Sequence, residues 1–376
     1  MAYISFEPKD YFNIVLWNGN SSTQAITGVG FSPAWVWGKQ RTGTEFHQLL
    51  DIIRGANNIL ISNGPNAAVA DSNILNSFDA DGFTVGNQNQ LNDTGATYVG
   101  WNWKAGTSFT NDASATGIGS IDSTGSVSDT SGFSICSYTG TGSNGTVKHG
   151  LSTAPKMIIF KNRNTETNWD VFHGSLANTQ RVHLDESAAA NTSTGAFNST
   201  SPTTAVFSVG NADNTNKSSS PMIAYCFSEI KGYSKISKYK GNGAASDNTF
   251  IYCGFKPKFI LHKAIIAENW LLWDSPRNTA VNSNGNPTHV IFEPNGGGAE
   301  NNNAARSIDL LSNGFKIRGN NANFGGSGTN RIRLLSNGFS VPTTDKSHNV
   351  SGNIYIYMAF AKNPFVSSSG IPATAR

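Results

Sequence analysis

The chain has 376 residues, too many for one ordinary β-sandwich or barrel and suited to two or three domains of ~100–150 residues each. Charged residues make up only 14%, against ~25% in ordinary soluble domains, while 22 Phe, 10 Tyr and 8 Trp supply enough core material to exclude a disordered chain. A formal net charge of +3 is too small for this length to imply nucleic-acid binding, and no run of ~18 apolar residues is present to span a membrane.

From the N-terminus, Met1 to Glu7 lacks a basic segment followed by an apolar one, so no secretory signal is expected. The first strand is predicted at Phe12-Asn13-Ile14-Val15-Leu16-Trp17, with a turn at Asn18-Gly19. Next comes Gly30-Phe31-Ser32-Pro33-Ala34-Trp35-Val36-Trp37, a proline at a strand entrance followed by a strand buried on both faces. Glu45 to Gly55 fits helical spacing through Phe46, Leu49, Leu50, Ile52 and Ile53. A strand near Gln48 to Ile53 is preferred there, because the matching segments downstream carry strand-like residues and the breakers Gly174, Pro276 and Asn278. Gly82-Phe83-Thr84-Val85 and Tyr98-Val99-Gly100-Trp101-Asn102-Trp103 complete the first set.

The same five blocks return in order. The first recurs as Phe133 to Gly140 and Tyr233 to Gly241, each ending in an aromatic residue, one more residue, then glycine. The second recurs as Gly150 to Phe160 and Gly254 to Leu261. The third is Asn168-Trp169-Asp170-Val171-Phe172-His173, then Asn269-Trp270-Leu271-Leu272-Trp273-Asp274, with Phe46 to Asp51 as the first copy's counterpart. The fourth is Phe207-Ser208-Val209 and Gly338-Phe339-Ser340-Val341; the fifth is Ile223 to Phe227 and Ile356 to Phe360. A period of roughly 100–120 residues suits a whole β-sandwich and is too long for a solenoid.

The expected fold is therefore all-β: three tandem antiparallel β-sandwich domains, jelly-roll-like, from an internal repeat. Residues 1–105 form repeat 1, 132–232 repeat 2 and 233–376 repeat 3. Residues 106–131 form a Gly/Ser/Thr-rich linker or, through the alternation of Thr116 to Ile121, an edge strand. Repeat 3 carries a hairpin insertion, because Leu310-Leu311-Ser312-Asn313-Gly314-Phe315 nearly repeats as Leu334-Leu335-Ser336-Asn337-Gly338-Phe339 around a loop at 319–330.

No motif carries catalysis. The seven histidines form no HExxH pattern and none has a cysteine at zinc spacing. His173 aligns with Asp274 and Asp51, an exchange that suits a polar strand end better than a catalytic base. No nucleophile elbow or Walker loop is present, and Asn295 to Gly298 has glycines but no following Lys-Ser/Thr. Carboxylate pairs for glycoside hydrolysis leave no mark in sequence, and the acids Asp79, Asp81, Glu186, Glu229 and Glu293 are scattered. The eight tryptophans could stack on sugars, but Phe, Tyr, Leu or Ile replace them between copies, as a core requires. Cys136, Cys226 and Cys253 are odd in number and widely spaced, so buried free thiols made in a reducing cytoplasm are expected. Lys231, Lys235, Lys238 and Lys240 suit a solvated edge strand. Binding, if present, belongs to the loops at 57–73, 188–201, 282–303 and 319–330.

Three segments resemble a known family: Tyr138-Thr139-Gly140-Thr141-Gly142 with His149-Gly150-Leu151 and Pro155 to Arg163; Ile223 to Glu229 leading to Gly232-Tyr233-Ser234-Lys235; and Tyr355 to Phe365. They are similar to an uncharacterised repeat domain of structural and tail-fibre-like proteins of marine tailed phages, cyanophages and pelagiphages among them. The resemblance covers nearly the whole chain. The first copy departs from it, with Gly38-Lys39-Gln40-Arg41 where the second has Lys161-Asn162-Arg163. It implies a virion protein. With the residue readings above, the expectation is a non-enzymatic one synthesised in a bacterial cytoplasm, either a short tail fibre or spike or a head decoration. The expected partners are other virion proteins, copies of itself (by analogy a trimer) and host-surface glycans, with no nucleic acid, membrane insertion, cofactor, metal or catalytic residue. The alternatives are a carbohydrate-binding adhesin and, behind it, a polysaccharide-degrading tailspike.

Overall fold

Alternating runs broken every few positions by Gly, Asn, Ser or Thr favour strands and turns over helices. The computed structural model is accordingly all-β, with 46% strand and 6% helix, and every ladder between its named strands is antiparallel. It describes residues 6–243, 249–277, 288–302, 308–317, 333–335, 338–340 and 346–364. The chain divides into two compact units: Lys9–Ile230 with Pro294–Ala299, and Met1–Pro8 with Lys231–Glu293 and Glu300–Arg376.

The first unit opens with β1 (Phe12–Asn18), β2 (Gln24–Thr27), β3 (Trp35–Gln40), β4 (Gln48–Asp51), β5 (Asn58–Ile61), β6 (Val69–Ala70), β7 (Leu75–Asp79), β8 (Gly82–Val85) and β9 (Thr97–Trp103). They form a six-stranded sheet, β1-β9-β3-β4-β5-β6, and a three-stranded sheet, β2-β8-β7. Apolar residues of both sheets meet in one core, which includes Trp17, Ile26, Val36, Leu50, Phe83 and Tyr98. This arrangement is β-sandwich-like.

The same unit continues with β10 (Thr107–Asn111), β11 (Ser123–Ser128), β12 (Phe133–Thr139), β13 (Gly145–Lys148), β14 (Met157–Asn162), β15 (Asp170–His173), β16 (Gln180–His183), β17 (Asn191–Thr192), β18 (Val206–Val209) and β19 (Pro221–Phe227). The order β12-β19-β14-β15-β16-β17 repeats that of the first sheet, and β13-β18 stand where β2-β8 stood. The stretch 106–131 holds two strands, β10 and β11, which widen this sheet to eight. The alternating Thr116 to Ile121 is not one of them: Ala113–Thr116 is a helical turn, and Ile121 makes only an isolated bridge to Val147.

In the second unit the strands are β20 (Ser234–Lys240), β21 (Phe250–Tyr252), β22 (Phe255–Ala264), β23 (Trp270–Asp274), β24 (Val290–Phe292), β25 (Asn301–Asn302), β26 (Ile308–Leu311), β27 (Gly314–Ile317), β28 (Arg333–Leu335), β29 (Gly338–Ser340) and β30 (Ile354–Pro364). The order β20-β30-β22-β23-β24-β25 appears a third time, with β21-β27-β26 beside it. β20 lies at the sheet's edge with Lys238 and Lys240 exposed.

One sequence match is corrected. The counterpart of Gly82 to Val85 is Gly314 to Ile317, not Gly338 to Val341. β27 pairs with β21 as β8 pairs with β2. A Cβ at Gly82 would meet Ile26 O at 2.0 Å, and one at Gly314 would meet Ile251 O at the same distance. Two near-identical Leu-Leu-Ser-Asn-Gly-Phe segments cannot be ranked by composition; the pairing partner ranks them. The inserted hairpin is thus β28–β29. The strand proposed near Gln48 to Ile53 is real but ends at Asp51, whose carboxylate accepts from the N–H of Ile53 and Arg54 and turns the chain.

A clasp explains the aromatic-x-Gly ending of the first block. Trp17 Nε1 donates to Leu91 O, Tyr138 OH to Thr215 O, and Tyr239 OH to His348 O. The next residue in each case is asparagine. Asn92, Asn216 and Asn349 accept through Oδ1 from the backbone N–H of Asn20, Thr141 and Asn242. Between these bonds sit Gly19, Gly140 and Gly241, where a Cβ would lie 2.1, 2.2 and 2.3 Å from the carbonyl oxygens of Asp93, Lys217 and Val350. Only glycine lets the two backbones approach this closely.

Candidate functional site

The site is best built from the second copy, where it is closed. β15 begins at Asp170, directly opposite His183 on β16. Arg181 lies two residues before His183, so both side chains leave the strand on one face. The short helix Asp213–Asn216 supplies Asn214. Buried Asp170 takes Arg181 Nη1 at 2.6 Å, His183 Nδ1 at 3.0 Å and Asn214 Nδ2 at 2.8 Å; Asn191 on β17 accepts from Arg181 Nε at 3.1 Å. Burial pulls the His183 pKa down, but its hydrogen bond to Asp170 and that carboxylate's charge outweigh burial and raise it overall. Three donors hold this buried carboxylate in place, which makes the cluster a structural knot.

The first copy has different residues in these places. By strand register, Gln48, Ile59, Ile61 and Val69 replace Asp170, Arg181, His183 and Asn191. Gln90 replaces Asn214, two residues before the clasp asparagine. Among the described residues no ion pair like that of Asp170 with Arg181 and His183 forms there, and an open hollow of about 340 Å³ remains. Glu45, Phe46, Asn66, Ala67 and Asp71 complete its wall. Phe46 is 51% exposed and Val69 59%. One side of the Phe46 ring meets Gly297, where a Cβ would come within 3.0 Å of it. The acids are partly matched: Asp71 Oδ1 accepts from Asn73 N, and Glu45 lies near enough to Lys39 to raise that amine's pKa against burial. The stretch 57–73, one of four read as loops, holds β5 and β6, and its residues line this hollow.

All eight tryptophans are core residues, which removes the stacked-sugar groove they suggested. All seven histidines are buried, and burial lowers His149 to about 4. Cys136, Cys226 and Cys253 are buried. Asp51, His173 and Asp274 do share one position, opposite Trp35, Met157 and Phe259. Asp51 and Asp274 each hold an arginine three residues on, Arg54 and Arg277, at 2.6 Å. The loop at 188–201 folds Ala196 and Phe197 into the core, while 282–287 and 319–330 lie outside the described residues. No His, Cys, Asp and Glu cluster able to hold a metal occurs among the described residues, and no helix there is long and apolar enough to cross a membrane.

Sequence reasoning missed a recurring lysine. Lys39, Lys161 and Lys263 occupy one register position on β3, β14 and β22 and are fully buried. Their Nζ atoms donate to carbonyls at the strand ends and in the loops beyond: Gln40 and Gly43, Pro65 and Thr167, and Ala264 and Ile266. Burial lowers each to about 8, opposed by nearby carboxylates, Glu45, Asp185 and Glu268 foremost. A lysine closing an apolar run, followed by Glu five or six residues on, was the available signal.

No curated protein and no solved structure matches the chain. A family model does, over residues 7–332 and 325–364, and the chain belongs to that family, described as Domain of unknown function (DUF7483).

Proposed function

We propose that this chain is a non-enzymatic structural protein on the surface of a tailed-phage virion, a short fibre or spike or a head decoration. Three tandem jelly-roll-like β-sandwich domains would make it up, with 106–131 as the seam between the first two. The observation that carries the non-enzymatic part is the contrast between copies. Scaffold chemistry recurs three times, in the clasp asparagines and the buried lysines. The candidate-site residues do not recur: a closed polar knot in one copy stands against a hollow in another. The virion part rests on the resemblance of the three motif segments to repeats of marine phage structural proteins. Its partners are then other virion proteins and copies of itself, and it is made in the bacterial cytoplasm.

Purified particles labelled with an antibody to this chain test the placement by electron microscopy. Label on heads or tails is the expected result, and particles without label reject it. Native mass spectrometry checks self-association: a trimer has three times the 40.0 kDa of one chain. A second reading, a carbohydrate-binding adhesin, is favoured by the first-copy hollow with its exposed Phe46. A depolymerising tailspike has no such support, and host polysaccharide incubated with the protein should show no new reducing ends.

A further inference from the structure

We infer that the hollow of the first copy is a binding site for a single neutral pyranose ring, presented by a glycan. This deepens the adhesin reading and rests on it. In the first copy the hollow lies where β4, β5 and β6 meet the turn before the clasp asparagine. In the second copy the chain fills it with its own Arg181 and His183 held on Asp170. The first copy lacks all three groups and leaves about 340 Å³, room for one hexose with water around it.

The lining selects the occupant. Phe46 is half exposed at the mouth and offers an apolar ring face to the C–H face of a sugar. Gln48, Gln90, Glu45 and Asp71 present amides and carboxylates, which take the hydroxyls of a sugar edge. Gln90 Oε1 lies buried with no hydrogen-bond partner among the described residues, and a turn of the amide toward the hollow would give it one. A cationic ligand is a poorer match. Lys39 offsets the charge of Glu45, while Asp71 keeps its charge and accepts from the Asn73 amide. Gln48 stands where the second copy needs an aspartate to seat its guanidinium.

Saturation-transfer difference NMR on the full chain tests this with the methyl glycosides of glucose, galactose, mannose, rhamnose and N-acetylglucosamine, each at about 5 mM, a concentration that reports millimolar affinities. At least one should give signal from the protons of one ring face. Phe46→Ala, a change at an exposed position that leaves folding intact by circular dichroism, should weaken that binding about ten-fold or more. Gln90→Leu should weaken it as well. Arg181→Lys in the second copy should leave it unchanged. Silence from all five glycosides overturns the inference, as does equal signal in wild type and Phe46→Ala, or binding of methylguanidinium at the hollow in place of a sugar. Any of these leaves the virion placement to be judged by particle labelling alone.

Discussion

At the scale of single residues, the clasp and the buried lysines set the sharpest expectations. Gly140→Ala forces a methyl group to within 2.2 Å of the Lys217 carbonyl and must push two backbone segments apart. A loss of about 1–3 kcal/mol follows from overpacking of this kind, read as a lower urea midpoint. The lysines predict a pH dependence with a definite sign. Lys39, Lys161 and Lys263 hold their protons to 10.5 when unfolded and only to about 8 when folded. Between these values the unfolded chain binds more protons, so these groups make stability rise with pH. Buried Cys136 and Cys226, whose thiols burial pushes up, work the other way above 9, so the window is pH 8 to 9. Urea midpoints should climb across it, and Lys161→Met should climb less steeply; a flat wild-type profile contradicts the assignment.

At the scale of elements, the informative contact joins the first two copies. β3 of the first copy is buried on both faces, where Trp35 stacks on Tyr225 with ring centres 4.4 Å apart and also meets Phe133 and Phe227. Tyr225 OH donates to Asp51 Oδ2 at 2.7 Å, and Arg54 bonds both of them. Loop backbone adds Ala68 N to Arg163 O and Thr167 N to Pro65 O. Trp35→Ala should cost about 3–5 kcal/mol, because a large cavity opens among the rings of Trp37, Trp103, Phe133, Tyr225 and Phe227. Tyr225→Phe should cost about 1–3 kcal/mol, since Asp51 and Arg54 keep each other; calorimetry on both variants gives the ranking. Much of this level was legible in sequence. Repeated blocks located the core strands, and the drift of Trp to Phe, Tyr or Leu marked them as packing. The helix-like spacing at Phe46 to Ile53 was rightly overruled by its counterparts. The Leu-Leu-Ser-Asn-Gly-Phe pair was not resolvable, because register is a property of two strands and each sequence shows one. The hollow was invisible for the same reason: Gln48, Ile59, Val69 and Gln90 are unremarkable apart and meet only through pairing.

At the scale of the whole molecule, a net charge of +3 conceals two unlike units. The unit of Lys9–Ile230 with Pro294–Ala299 has 11 Lys and Arg against 16 Asp and Glu, a net −5; the other has 16 against 8, a net +8. The chain should therefore bind a cation exchanger at pH 7 in low salt more firmly than its total charge suggests, and elute as salt shortens the Debye length to about 8 Å near 0.15 M. A second expectation comes from strand order. β30 lies between β20 and β22, so a chain ending at Asn353 loses the middle of that sheet. Amide hydrogen exchange should then show β20 unprotected and β22 protected only on the side that faces β23. The same pattern holds in every copy: the first strand pairs with the last, β1 with β9, β12 with β19 and β20 with β30. On the ribosome this sets a timetable. At roughly 5–20 residues per second, each opening strand waits several seconds or more with its edges bare until its closing strand emerges. During that wait, the closing strand of another copy, or of a neighbouring nascent chain, is a ready substitute, the usual route to domain swapping. The divergence that makes the first copy hard to align, with Trp101 and Trp103 where the others carry Tyr225 and Phe227 or Met358 and Phe360, gives each sheet a closing strand shaped for it alone.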